Sequence, residues 1–113
     1  MVRTYLPEAG DIMWIDLDPQ AGREQGKRRP ALVLTDSRYN RASGLCVACP
    51  LTSVRKGYPF EVSALVDKVE GAVLADQIKS LDWTARDAEF HAKAPVELFK
   101  KVRTYIAVLL GIR

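Results

Sequence analysis

The chain has 113 residues, 48% hydrophobic and 27% charged, with 17 Lys and Arg against 14 Asp and Glu for a formal charge of +3. That length suits a single domain, residues 1–113, around one core, and the composition is that of a folded chain rather than a disordered one. No apolar run approaches the roughly 20 residues that cross a bilayer. The opening Met1-Val2-Arg3-Thr4-Tyr5-Leu6-Pro7-Glu8 lacks the apolar stretch of a signal peptide, so a cytoplasmic location with no membrane partner is expected. The small basic excess is compatible with a nucleic acid without requiring one.

The first strand is expected over residues 12–17. After it comes a long polar connection, Asp18-Pro19-Gln20-Ala21-Gly22-Arg23-Glu24-Gln25-Gly26-Lys27-Arg28-Arg29-Pro30, leading into a second apolar run at 31–35. Residues 36–43 read as a short helical turn that Asp36 or Ser37 can cap and Gly44 can end. Further strands are expected at 45–51, 60–64, 72–75 and 78–83, short and rich in Val, Ile and Leu, with loops at Gly57-Tyr58-Pro59 and Glu70-Gly71 between them. A C-terminal helix begins with Pro95 in its first position, and Phe99, Val102, Ile106, Leu109 and Leu110 recur at helical spacing as its apolar face. Many short strands and one closing helix predict a mainly β protein, a small and strongly bent sheet or half-open barrel.

Cys46 and Cys49 form a C-x-x-C, a spacing shared by zinc and redox sites. They fall within an expected strand, where residues three apart face opposite sides. His91 is the only histidine and there is no third cysteine, so a structural zinc has no ligand set. Buried, structural cysteines and no metal are expected.

The long connection carries the chemistry. Hairpins usually turn in two to five residues, whereas this segment holds Arg23, Lys27, Arg28 and Arg29 around one carboxylate in mid-loop, Glu24. Cleavage of an RNA phosphodiester needs a base for the 2′-hydroxyl, a cation for the phosphoryl oxygens and a hydrogen-bond donor. With no pair of histidines the base has to be a carboxylate, and Glu24 among cations that favour its ionised form is the candidate. Arg29, just before Pro30, suits a planar grip on phosphate. Thr52, past Pro50 at a strand end, can present a hydroxyl. Sequence separation alone does not show that the three converge. Trp14 and Trp83 are expected to pack rather than to stack on bases; Asp76 can be either catalytic or structural.

The chain resembles the MazF/PemK family of toxin endoribonucleases over nearly its whole length. The landmarks are Gly10-Asp11-Ile12 with Trp14, Asp18-Pro19, Gly22-x-Glu24-Gln25 leading to Arg29-Pro30-Ala31, Tyr39-Asn40 and Pro50-x-Thr52. They continue through Lys56-Gly57-Tyr58-Pro59-Phe60, Gly71-x-Val73-x-Ala75-Asp76-Gln77, Lys79-Ser80 and Ala85-Arg86. The resemblance implies a homodimer of small SH3-like β-barrels of antiparallel strands with a C-terminal α-helix. It implies sequence-specific cleavage of single-stranded RNA without metal, cofactor or ribosome, leaving 2′,3′-cyclic phosphate and 5′-hydroxyl ends. A cognate antitoxin would neutralise the enzyme with an acidic, flexible segment. Family positions assign catalysis to Glu24, Arg29 and Thr52, and RNA contact to Gln25, Lys56, Gln77, Lys79 and Arg86. The PemK-like branch has histidine where Arg23 stands and arginine where Leu74 stands, so the MazF-like branch is the better fit. Two rival readings are a non-catalytic toxin of the same fold that poisons a protein such as gyrase, and a plain RNA-binding barrel. The first acts through C-terminal residues, here Leu110-Gly111-Ile112-Arg113, without the terminal tryptophan associated with it.

Overall fold

The computed structural model describes residues 5–19 and 21–112; residues 1–4, Gln20 and Arg113, named above in the N-terminal segment, the long loop and the C-terminus, lie outside the described residues. Among the described residues seven strands and two helices follow in the order β1 (Asp11–Asp16), β2 (Arg28–Val33), α1 (Ser37–Ser43), β3 (Leu45–Thr52), β4 (Glu61–Val66), β5 (Val69–Leu74), a 3₁₀ turn (Ala75–Gln77), β6 (Lys79–Asp82), β7 (Glu89–Lys93) and α2 (Val96–Leu110). All pairings are antiparallel, and the sheet runs β4-β5-β3-β2-β1-β7, with β6 beside β3. Each expected strand is present.

Strand β3 is the hub. One edge pairs with β2 as far as the Ala31↔Pro50 rung. The other pairs first with β6, from Leu45 to Ala48, and then with β5 at Leu51 and Thr52. Proline has no N–H to give a ladder. Pro50 stands at the last β2–β3 rung, and Pro30, opposite Trp14, lies one residue beyond that pairing. Past these two prolines β2 and β3 diverge, so Arg29 and Thr52 lie where the sheet opens.

The sheet curls until its two outer strands communicate. The β4–β5 hairpin turns at Asp67 and Lys68, both at positive φ (49° and 64°), the backbone of a tight two-residue hairpin turn. From that tip Asp67 Oδ2 meets His91 Nε2 on β7 at 2.9 Å, and His91 stands edge-on to Trp14 with ring centroids 5.5 Å apart.

Two apolar clusters lie on the two faces of the sheet. The larger gathers Ile12, Leu32, Cys49, Leu51, Val62 and Val73 under α2, and the second gathers Met13, Ile15, Ala31, Val33, Cys46 and Leu81, with Trp83 packed on it. Alternation along a strand thus sends Cys46 and Cys49 to opposite faces. Both are fully buried free thiols, and burial pushes each up to about 12.

Helix α1 is capped by Asp36, whose Oδ1 accepts from the N–H groups of Arg38 and Tyr39 at 2.9 and 3.1 Å, and it ends at Gly44 in the left-handed conformation. Its buried Asn40 donates through Nδ2 to the Pro7 and Thr35 carbonyls, at 2.8 and 2.9 Å, and accepts from Thr35 Oγ1 at 2.7 Å. The indole of Trp83 donates to the Asn40 carbonyl at 3.0 Å.

One strand lies outside the expectations and two expectations need correction. Strand β7 carries no strong apolar signal, because Glu89-Phe90-His91-Ala92-Lys93 forms an edge strand that exposes Phe90. Pro95 is the N-cap of α2 rather than its first helical residue. The helix buries Leu98, Val102 and Ile106, whereas Leu109 and Leu110 are 40% and 59% exposed. Leu98, Val102 and Ile106 share a core cluster with Ala75 of the 3₁₀ turn and Val62 of β4, whereas the last helical turn leaves its apolar side chains exposed.

Candidate functional site

Residues 17–27 connect β1 and β2 as a loop anchored at its base and at its tip. At the base, Leu17 N–H donates to the Lys27 carbonyl at 2.8 Å and Lys27 N–H to Asp18 Oδ1 at 2.6 Å. Arg86 reaches in with Nη1 on the carbonyls of Asp16 and Asp18, at 3.1 and 2.9 Å, and its own carbonyl accepts from Asp16 N–H at 3.0 Å. At the tip, Glu24 N–H closes a turn onto the Ala21 carbonyl at 3.0 Å. Gln77, projecting from the 3₁₀ turn, accepts from Gln25 N–H at 3.0 Å and donates to the Arg23 carbonyl at 3.2 Å.

The loop forms one wall of a cleft of about 980 Å³. Glu24, Arg29 and Thr52 all line it, with Gln25, Lys56 and Gln77. Residues more than twenty positions apart thus share one concavity, because β2 and β3 diverge beneath it. A smaller, mainly apolar cavity of about 370 Å³ adjoins it and shares Arg29 and Thr52. Arg29 is half-buried and its Nε donates to the Gly26 carbonyl at 3.0 Å, which restricts the guanidinium. Thr52 is buried; its Oγ1 accepts from Val54 N–H at 3.1 Å and approaches the Val54 carbonyl at 3.4 Å. Its position depends on Gly71 across the β3–β5 pairing, where a Cβ would lie 2.3 Å from the Thr52 carbonyl oxygen.

The charges do not all serve the cleft. Arg28 is drawn into a cluster on the sheet, 3.0 Å from Asp16 and 3.1 Å from Glu89, which leaves Arg23, Lys27, Arg29 and Lys56 as the cations lining the cleft. Glu61, on the opposite rim, spends its carboxylate on the N–H groups of Lys56 and Gly57 at 3.0–3.2 Å, shaping that loop. Asp76 lines the cleft and is exposed. Lys79 is outside the lining, but its Nζ stands 3.6 Å from Glu24 Oε1.

Of the positions expected to contact RNA, Gln25, Lys56 and Gln77 are in the cleft and Lys79 borders its carboxylate. Arg86 is not among the lining residues: its Nη1 is committed to two backbone carbonyls at the base of the loop. Tyr58, 58% exposed on the rim, is an aromatic surface that residue-by-residue reading passed over. The signal was available in Lys56-Gly57-Tyr58-Pro59, a glycine- and proline-bound turn that leaves an aromatic side chain little to pack against. Leu74, where a PemK-like site would have arginine, is a nearly buried apolar residue of the cleft floor.

Residues 8–110 match the family model described as the PemK-like, MazF-like toxin of type II toxin–antitoxin systems. The endoribonuclease toxin MazF of Escherichia coli K12 is 42% identical over 111 residues, covering 98% of this chain and 100% of that protein. The Escherichia coli endoribonuclease PemK is 30% identical over 108 residues, covering 91% and 81% respectively. The crystal structure of Deinococcus radiodurans MazF superposes with a TM-score of 0.91 at 51% identity, covering 96% of this chain and 100% of that one. A MazE–MazF crystal structure from the same organism superposes at 0.86 with 50% identity, covering 97% and 100%. The mainly β fold, a curled antiparallel half-barrel with a C-terminal helix, is therefore that of MazF, and the chain belongs to the PemK-like, MazF-like toxin family of type II toxin–antitoxin systems.

Proposed function

We propose that this protein is the toxin of a toxin–antitoxin pair and acts as an endoribonuclease that cuts single-stranded RNA, halting translation, without metal, cofactor or ribosome. The observation that carries the reading is one cleft lined by a carboxylate, a guanidinium and a hydroxyl, Glu24, Arg29 and Thr52. Glu24 takes the proton of the 2′-hydroxyl as that oxygen bonds to phosphorus. The bond from phosphorus to the 5′ oxygen breaks, the 5′ oxygen takes a proton from solvent water, Glu24 returns its proton to solvent, and the products are a 2′,3′-cyclic phosphate and a 5′-hydroxyl. Arg29 neutralises the charge growing on the phosphoryl oxygens and at the leaving group. The Thr52 hydroxyl donates to a phosphoryl oxygen, exchanging its 3.4 Å approach to the Val54 carbonyl, long for an O–H···O bond, for a charge-assisted one.

Arg23, Lys27 and Lys56 in the lining suit a phosphate chain, and Tyr58 on the rim suits an unstacked base. The same cations suit an acidic, flexible antitoxin segment lying across the cleft, and the Deinococcus radiodurans relative was crystallised as a MazE–MazF complex. A homodimer is supported by Val108, Leu110 and Ile112 at the C-terminal end of α2, 59–68% exposed. Among the described residues no helix is long and apolar enough to cross a membrane.

The test is incubation of the purified protein with long, unstructured RNAs of diverse sequence in EDTA. Discrete fragments with 5′-hydroxyl ends are expected, with turnover reduced about 10²–10⁴-fold in Glu24→Gln and sharply in Arg29→Ala and Thr52→Val. Wild-type rates in all three folded variants would refute the site. Survival of every RNA would favour the protein-poison reading.

A further inference from the structure

We infer that Gln77 is a positioning residue for Glu24, a two-point clamp on the catalytic loop, rather than a contact to RNA. The inference rests on the reading of Glu24 as the base. The Gln77 carboxamide holds the residues on either side of Glu24, with Oε1 accepting from Gln25 N–H at 3.0 Å and Nε2 donating to the Arg23 carbonyl at 3.2 Å. A single planar amide that joins the carbonyl before a residue to the N–H after it fixes the peptide planes on both sides. It thereby fixes the direction in which the intervening side chain leaves the backbone. The clamp spans more than fifty residues of sequence, so it ties the loop to the sheet rather than to itself.

The supporting end is rigid. Gln77 closes the 3₁₀ turn that begins at Ala75, which is fully buried. Ala75 N–H donates to the Phe60 carbonyl at 3.1 Å, and Ile78 leads directly into Lys79, paired with Ala48 on the hub strand. The loop end is less constrained: Arg23 and Glu24 are exposed, and the Glu24 N–H bond to Ala21 is local. Clamping an exposed carboxylate from a rigid element is what proton abstraction requires, because small misplacement of a reacting group is costly in rate. The same edge supplies a third contact, Lys79 Nζ at 3.6 Å from Glu24 Oε1, which acts on the side chain where Gln77 acts on the backbone. Gln77 has thus committed its acceptor and one donor within the protein, which opposes the RNA contact expected from family position.

The experiment separates turnover from binding. Gln77→Met keeps the length and bulk of the side chain and removes both hydrogen bonds. Single-turnover cleavage is expected to fall about 10–100-fold, while the Kd for the same RNA carrying a 2′-deoxy sugar at the scissile position stays within about twofold. Amide hydrogen exchange gives a readout independent of activity: Gln25 N–H loses protection in Gln77→Met and keeps it in Gln77→Glu, which retains the acceptor, with protection of the core strands unchanged in both. The inference is overturned if Gln77→Met weakens RNA binding and leaves single-turnover cleavage intact, or if Gln25 is equally protected in wild type and Gln77→Met. Should Gln77→Met lose folded structure, the same exchange and cleavage comparison on Gln77→Glu decides. There the clamp predicts a protected Gln25 and slowed cleavage, and wild-type cleavage overturns it. Wild-type turnover by Glu24→Gln would instead refute the assignment of the base, whatever Gln77 does.

Discussion

Replacing Asn40 with alanine should remove a large part of the stability of this fold without touching its cleft. Asn40 is fully buried, and its carboxamide makes three hydrogen bonds, to the carbonyls of Pro7 and Thr35 and from the Thr35 hydroxyl. Each such bond is worth about 1 kcal/mol net, and a buried partner left unsatisfied costs about 1–3 kcal/mol. Three bonds are lost together and two carbonyls lose their donor, so the expected loss is about 3–6 kcal/mol, against a total of about 5–15 kcal/mol for a typical domain. The size of the effect follows from where the partners lie. Pro7 belongs to the N-terminal segment and Thr35 to the β2–α1 junction, and Thr35 Oγ1 also accepts from Val47 N–H on β3 at 3.0 Å. One side chain therefore ties three stretches of chain together. With an m-value of about 2 kcal/mol/M, the urea midpoint should fall by about 1.5–3 M. A double-mutant cycle with Thr35→Val should show a coupling of about 1 kcal/mol, since the two side chains share a bond. Asn40 does not line the cleft, so RNA cleavage per folded molecule should be unchanged at low temperature. A midpoint shift below about 0.5 M with an unchanged slope would refute this account of Asn40.

Two further predictions concern the β3–β5 pairing and the thiols. Gly71→Ala places a methyl 2.3 Å from the Thr52 carbonyl oxygen, a backbone atom; the strands must part, so about 1–3 kcal/mol of stability should be lost and cleavage should slow as Thr52 moves. A thermal-unfolding curve and a cleavage rate identical to wild type would contradict the close approach. Burial raises Cys46 and Cys49 from 9.0 to about 12, so the folded state keeps protons that the unfolded chain gives up. Their contribution is full below about pH 9 and is lost as pH rises towards 12, at about 1.4 kcal/mol per pH unit for each thiol. Two thiols over two units give a loss of about 5 kcal/mol by pH 11. Burial, reinforced by its bond to the Asp11 carboxylate, raises the Tyr5 phenol in the same sense, adding to the loss from about pH 10. Urea unfolding between pH 8 and 11 should show this decline. The decline should be markedly shallower in the Cys46→Ala, Cys49→Ala double variant, and an equal slope in the two proteins would refute the attribution.

The residues on which the proposed chemistry rests were legible because chemistry is carried by residue type. A long loop with one carboxylate among cations, an arginine held before a proline and a threonine past a strand proline are visible without coordinates. Strands also announce themselves where both faces are covered, as in Ile12-Met13-Trp14-Ile15 or Leu45-Cys46-Val47-Ala48-Cys49. Edge strand β7 does not, because a strand with a single neighbour needs few apolar residues. The burial stripe of α2 differs from its periodicity for a related reason: periodicity shows that a helix has an apolar face, but the tertiary packing decides how many of its turns are covered.

By itself the sequence determined most of the inventory of this protein: every strand but β7, both helices, the caps of α1, and a carboxylate, a guanidinium and a hydroxyl suited to a phosphodiester. Tertiary structure decided which of those groups meet, and which charged and amide side chains are spent on the scaffold. Glu24, Arg29 and Thr52 share a cleft because β2 and β3 separate past Pro30 and Pro50. Arg28, Arg86 and Gln77, equally plausible as ligands of RNA on composition, are bound to Asp16 and Glu89, to the base of the loop and to its tip. A side chain's donors and acceptors are a local property. Their partners lie up to 82 residues away, and only the folding of the chain brings them within hydrogen-bonding distance.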